Sequence, residues 1–137
     1  MKQYLDLVNE VLTRGTRKEN RTGVDTISAF NINYSIDLNE GFPLLTTKEI
    51  SWKNIVIENL WFLSGDLHIG LLKKHGCKFW DHWADEEGYV PSAYGNFWRK
   101  FPIHGNEKYN DQVRYVLDTL KKNPNSRRMV ITAWAPG

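Results

Sequence analysis

Cysteine is almost absent from this chain: Cys77 is the single one among 137 residues. One cysteine cannot close an internal disulfide, so a reducing compartment is the natural expectation. An excess of charge of one sign is missing too. Eighteen Lys and Arg stand against 16 Asp and Glu, for a net charge of +2. That balance argues against a nucleic-acid or membrane-surface partner. Long apolar runs are also lacking, and no stretch approaches the length of a membrane span. The opening residues carry Asp6 and Glu10 and have no unbroken apolar segment of the kind a secretory signal needs. These absences lead us to expect a cytoplasmic protein. There is no internal repeat, no phosphate-cradling P-loop and no dinucleotide fingerprint. His75, Cys77 and His82 do not follow a metal-ligand spacing, so no metal is expected.

What the chain does have is aromatic side chains: six Trp, six Tyr and six Phe. Flat side chains in that number fit a packed core or a cleft for a planar ligand. The length fits one domain, residues 1–137. Apolar residues at Tyr4, Leu5, Val8, Val11 and Leu12 predict an amphipathic helix over 4–14, stopped by Gly15. Strict alternation from Phe30 through Ile32, Tyr34 and Ile36 to Leu38 predicts a half-buried strand, followed by a turn over 39–43. Residues 51–63 are apolar almost all round, which predicts a central buried helix ended by Ser64 and Gly65. A shorter helix is expected over 69–74, and an aromatic, loop-like stretch over 79–101. Asp111 is a candidate N-cap for a helix carrying Val113, Val116, Leu117 and Leu120, closed by Lys121, Lys122 and Pro124. Residues 129–134 read as a buried strand.

Several residues could carry chemistry. Glu58 lies on the apolar helix, flanked in projection by Asn54, Trp61 and Phe62. A carboxylate among aromatics is costly to ionise and suits proton transfer near neutral pH. Equally, Asn54 and Glu58 could form a solvated polar stripe. Arg127 and Arg128 could fork onto a phosphate, or simply occupy a solvated turn. Arg21, beside Thr22 and Gly23, could bind an anion from a tight loop. Trp80 and Trp83 could stack on a heteroaromatic ring or belong to the core. Tyr94 could orient a substrate or satisfy a buried carbonyl. Cys77 next to Lys78 reads more readily as a buried structural cysteine than as a nucleophile.

Taken in order, certain stretches resemble the thymidylate synthase family. They are Asn20-Arg21-Thr22-Gly23, Gly41-Phe42-Pro43-Leu44-Leu45-Thr46-Thr47-Lys48 and Glu58-Asn59-Leu60-Trp61-Phe62-Leu63-Ser64-Gly65. They continue with Trp80-Asp81-His82-Trp83-Ala84, Tyr94-Gly95-Asn96-Phe97-Trp98-Arg99, Pro124-Asn125-Ser126-Arg127-Arg128 and Ala133-Trp134. The resemblance implies an α/β (α+β) fold in which a large twisted mixed sheet packs against the central helix and forms a homodimer interface. It implies methylene transfer from 5,10-methylenetetrahydrofolate to dUMP with reduction, giving dTMP and dihydrofolate. By resemblance, Arg21 binds the phosphate in its own subunit, and Arg127 and Arg128 reach into the partner's site. Glu58 organises proton transfer, and Tyr94 helps remove the pyrimidine C5 proton. Phe79, Trp80 and Trp83 form the folate wall, with Lys48 near the folate tail.

The chain departs from the family pattern at several places. Ser51 stands where many members have histidine, Ala135 where asparagine is usual, and Val90-Pro91-Ser92-Ala93 replaces a Leu-Gly-Pro lead-in. The family's Pro-Cys-His nucleophile segment would begin beyond Gly137. The chain therefore reads as the N-terminal half of such a domain, inactive by itself. The alternatives are a deoxypyrimidine-monophosphate hydroxymethylase of the same superfamily and a non-catalytic remnant. A nucleic-acid binder using 94–101 as a stacking platform is disfavoured by the charge balance.

Overall fold

A computed structural model describes residues 2–105 and 107–134. Ala135 lies outside the described residues. The chain divides into two compact units, Met1–Ile50 and Ser51–Gly137.

In the first unit, helix α1 (Lys2–Arg14) precedes a hairpin of β1 (Thr16–Lys18) and β2 (Thr26–Ser28), paired antiparallel with Arg17 opposite Ile27. The helix forms where the apolar spacing places it, with Arg14 at the end where the helix dipole favours a cation. Gly15 follows because nothing larger fits: a Cβ there would collide with Ile27 Cγ2 and the Val11 carbonyl. Arg17 pairs with Asp25 across the hairpin at 2.6 Å. The expected buried stripe is only half-buried, at Tyr4, Leu7, Val8 and Val11, and no described residue of this unit is fully buried.

The alternating segment 30–38 is not a strand. Asn31 has φ of 56°, outside the extended region, and no described strand lies beside the segment to pair with it. Alternation marks which side chains would share a face, but a strand is held by its neighbour's hydrogen bonds. The expected turn is present: a 3-10 turn at Leu38–Glu40, capped by the Asp37 carboxylate, leads to Gly41 at φ 117°.

The second unit holds the core. Helix α2 (Trp52–Ser64) ends as the sequence predicts, with Gly65 in the left-handed region at φ 71° and its N–H on the Phe62 carbonyl. Helices α3 (Gly70–Lys74), α4 (Tyr94–Arg99) and α5 (Gln112–Lys122) follow. A two-stranded hairpin of β3 (Phe101–Pro102) and β4 (Tyr109–Asn110) lies between the last two. Trp61, Phe62, Ile69, Leu72, Cys77, Val90 and Ala93 make one buried cluster. Burying each large member stabilises the unit by about 1.5–3 kcal/mol.

Close approach of α4 to α2 requires Gly95, where a Cβ would lie 2.5 Å from the Phe62 carbonyl oxygen. Asp111 caps α5 as expected, accepting from the Arg114 N–H at 2.9 Å. Its other oxygen takes Arg99, whose Nη1 also reaches the Leu63 carbonyl, so one ion pair joins the ends of α2, α4 and α5. Two expectations change here. Helix α2 is buried only at Trp61 and Phe62, while Trp52, Val56, Leu60 and Leu63 are exposed. Residues 129–134 form no strand, and the described strands are confined to two-stranded antiparallel sheets. The fold is thus mixed helix and strand, of the α+β kind, with no large twisted sheet among the described residues.

Candidate active site

Glu58 is half-buried on α2, one helical turn before Trp61 and Phe62. Its partner comes from far along the chain. The Trp80 indole Nε1–H donates to Glu58 Oε1 at 2.6 Å. A short bond to a carboxylate is of the stronger kind, and it fixes both the ring and the acid.

Trp80 is held there by packing. Its ring lies 5.5 Å from Trp61 and 5.7 Å from Phe62, the latter edge-on. Successive turns, Asp81 N–H to the Lys78 carbonyl and Trp83 N–H to the Trp80 carbonyl, carry the chain from Trp80 to Trp83. Trp83 is 70 % exposed.

Tyr94 opens α4. Its ring packs 5.2 Å from Phe62 and 6.1 Å from Trp80. The close contact at Gly95 brings α4 near enough to α2 for these ring contacts. Trp80, Trp83, Ser92 and Tyr94 line an open cleft of about 270 Å³. Its walls are the Trp80 and Trp83 indoles and the Tyr94 phenol, joined by Ser92. Such a cleft accepts the face of a planar heteroaromatic ring; Glu58 does not line it and is linked to it through the bond to Trp80.

Trp80, Trp83 and Tyr94 are therefore brought together, and Glu58 is joined to them through Trp80. Phe79 is 59 % exposed and does not line the cleft. Arg127 and Arg128 belong to the same unit and are exposed. The Arg128 N–H bonds the Ser126 hydroxyl at 3.2 Å, and no carboxylate pairs with either guanidinium among the described residues. In the first unit, Arg21 is exposed in the turn that Gly23 closes with its N–H on the Asn20 carbonyl, and Lys48 is exposed in a bend.

Ser92 was not singled out in the sequence as a site residue. It is a small polar residue two positions before Tyr94, and no local pattern marks it. Cys77 is wholly buried in the core. No group of three or more His, Cys, Asp or Glu among the described residues could hold a metal ion. No described helix is long and apolar enough to cross a membrane.

The thymidylate synthase family model matches residues 2–137. The chain belongs to the thymidylate synthase family. A curated thymidylate synthase from Haloferax volcanii is 49% identical over 151 residues, covering 96% of this chain and 44% of that protein. The chain thus spans less than half the length of this relative.

Proposed function

We propose that this chain supplies part of a thymidylate synthase active site, acting on dUMP with 5,10-methylenetetrahydrofolate as cosubstrate. Family membership supports the activity. The observation that carries the reading at the level of residues is the 2.6 Å bond between Glu58 and Trp80, which lines the aromatic cleft. It joins the acid of the proposed proton transfer to the proposed folate wall in one rigid unit.

The donor set fits the cosubstrate, because the indole faces of Trp80 and Trp83 offer the stacking surface that a pterin-like ring requires. When bound, the folate supplies the one-carbon unit and the hydride. The chain's own residues bind and orient. Arg21, Arg127 and Arg128 neutralise the dUMP phosphate, the last two from the partner subunit of a homodimer. Glu58 holds and moves a proton at the pyrimidine. The Tyr94 hydroxyl assists at C5. Trp80 and Trp83 exclude water from one face of the folate, the exposed Phe79 extends that wall beyond the cleft, and Lys48 meets its anionic tail.

On this reading, residues 30–38, whose side chains alternate, and the apolar run 129–134 become strands of a large twisted sheet in a cytoplasmic enzyme. There the two units belong to one domain. Cys77, buried in the core, is not the nucleophile, and the covalent step falls to a cysteine elsewhere in a longer protein. The test is direct. A full-length protein carrying this segment converts dUMP and the folate to dTMP, and loses that activity on Glu58→Ala. Formation of a hydroxymethylated nucleotide, or full activity of Glu58→Ala, would overturn the reading.

A further inference from the structure

Gln112 is a buried polar residue of the second unit, 5% exposed. It opens α5 directly after the capping Asp111. Both ends of its amide are used. Nε2 donates to the carbonyls of Phe97 and Thr132, each at 2.8 Å, and Oε1 accepts from the Thr132 N–H at 3.0 Å. Thr132 thus gives both backbone polar groups to one side chain. The pairing that a neighbouring strand would provide is supplied by an amide.

The length of the segment gives this clamp a consequence. Helix α5 has 11 residues, about 16 Å at the helical rise. The chain then turns, with the Ser126 N–H on the Asn123 carbonyl at 3.1 Å and the Arg128 N–H on Ser126 Oγ at 3.2 Å. From Arg127, the run to Thr132 spans at most roughly 16 Å when extended. It is long enough to return along α5 and no longer. Its far end is fastened at the N-terminal end of that helix. No ion pair among the described residues sets the direction of Arg127 or Arg128. The backbone on either side of the pair is held, at the Ser126 turn and at Gln112.

We propose that Gln112 is a positioning residue for the paired guanidinium groups of Arg127 and Arg128. By tying Thr132 to α4 and α5, it fixes how the arginine turn leaves the helix, so that less order must be gained when a phosphate binds. This rests on the reading of that pair as phosphate-binding groups.

The test titrates the 137-residue chain with dUMP, followed by phosphorus NMR. Four forms are compared: wild type, Gln112→Ala, Arg127→Ala with Arg128→Ala, and all three substitutions together. Gln112→Ala is expected to weaken binding roughly tenfold, and to add less than about twofold once the arginines are gone, because positioning acts only through them. Unchanged affinity in Gln112→Ala, or the same tenfold loss repeated without the arginines, overturns the inference and leaves the arginines' role standing. Affinity that is equal with and without the arginines overturns the phosphate reading, and the inference with it. Should Gln112→Ala fail to fold, amide exchange in the wild type decides. Protection of the Thr132 N–H at the level of α5 is expected, and open-chain exchange there refutes the clamp.

Discussion

Trp80 and Glu58 are 22 positions apart in the chain, yet the indole N–H of one donates to Oε1 of the other at 2.6 Å. A hydrogen bond to a charged group is worth about 1.5–3 kcal/mol when its partner is removed and the site is partly shielded. Trp80→Phe keeps most of the ring and removes the donor. It is expected to lower stability by about 2 kcal/mol in urea titration, with Glu58→Gln costing less because an acceptor oxygen remains. A double-mutant cycle between them should show coupling. Strict additivity would mean that the bond contributes nothing.

Glycine to alanine inside an exposed helix ordinarily stabilises by about 1 kcal/mol. At Gly95 the sign should reverse. The new methyl group would lie 2.5 Å from the Phe62 carbonyl oxygen and 3.0 Å from its Cα, and backbone atoms cannot swing aside. Overpacking of this kind costs roughly 1–3 kcal/mol. Gly95→Ala is therefore expected to lower the melting temperature and to move the Tyr94 ring off Trp80, read as a change in tryptophan emission. An unchanged or higher Tm would show that α4 is free to retreat from α2.

Much of the second unit was legible because its signals are local. Helix α2 announces itself by composition and stops at Gly65, and α5 begins at Asp111, whose carboxylate needs only the N–H three residues on. Helix α4 was missed: six residues, four of them aromatic or glycine, leave no period to read. The hairpins were missed because strands of two or three residues carry almost no pattern. At 30–38 and 129–134 the apolar pattern is present but no pairing strand is, among the described residues, and pairing lies outside any local window. The site followed the same rule. Glu58 could be picked out as a carboxylate among apolar residues, but its partner Trp80 and the nearness of Tyr94 arise from packing against Phe62. Ser92 in the cleft lining and Gln112 hydrogen-bonded to Thr132 gain their meaning only in three dimensions.

Asp111 does two tasks at once, capping α5 through Oδ1 and pairing with Arg99 through Oδ2. Substitution can separate them. Asp111→Asn keeps the cap and weakens the ion pair, while Asp111→Ala loses both. Loss of an N-cap costs about 0.5–2 kcal/mol. Asp111→Ala is expected to fall below Asp111→Asn by roughly 1 kcal/mol. The wild type alone should show a salt-dependent advantage over Asp111→Asn, since the pair is about one-third exposed. Equal stability of the two variants would deny the cap its role.

The exposed side of α2 has a physical consequence. Trp52, Val56, Ile57, Leu60 and Leu71 line an apolar groove of about 470 Å³. Apolar surface of this extent draws hydrophobic dyes. The chain is expected to enhance ANS emission at neutral pH, and Leu60→Lys to reduce that emission while shifting stability by less than about 0.5 kcal/mol, as at other open positions. Leu60 is 55% exposed, so a large loss of stability in Leu60→Lys would show that the groove is closed in solution.

Cys77 gives the sharpest separation between core and chemistry. Its side chain is wholly buried in the cluster with Trp61 and Leu72. Nucleophilic cysteines need exposure and a group that favours the thiolate. The thiol is therefore expected to resist DTNB in the folded chain and to react fully once the chain is unfolded in guanidinium. The same chain should release no tritium from 5-tritiated dUMP, because no other cysteine exists in it to attack the ring. Rapid labelling of the folded protein together with tritium release, both lost in Cys77→Ser, would make Cys77 the nucleophile after all and would require the core around Trp61 to open during turnover.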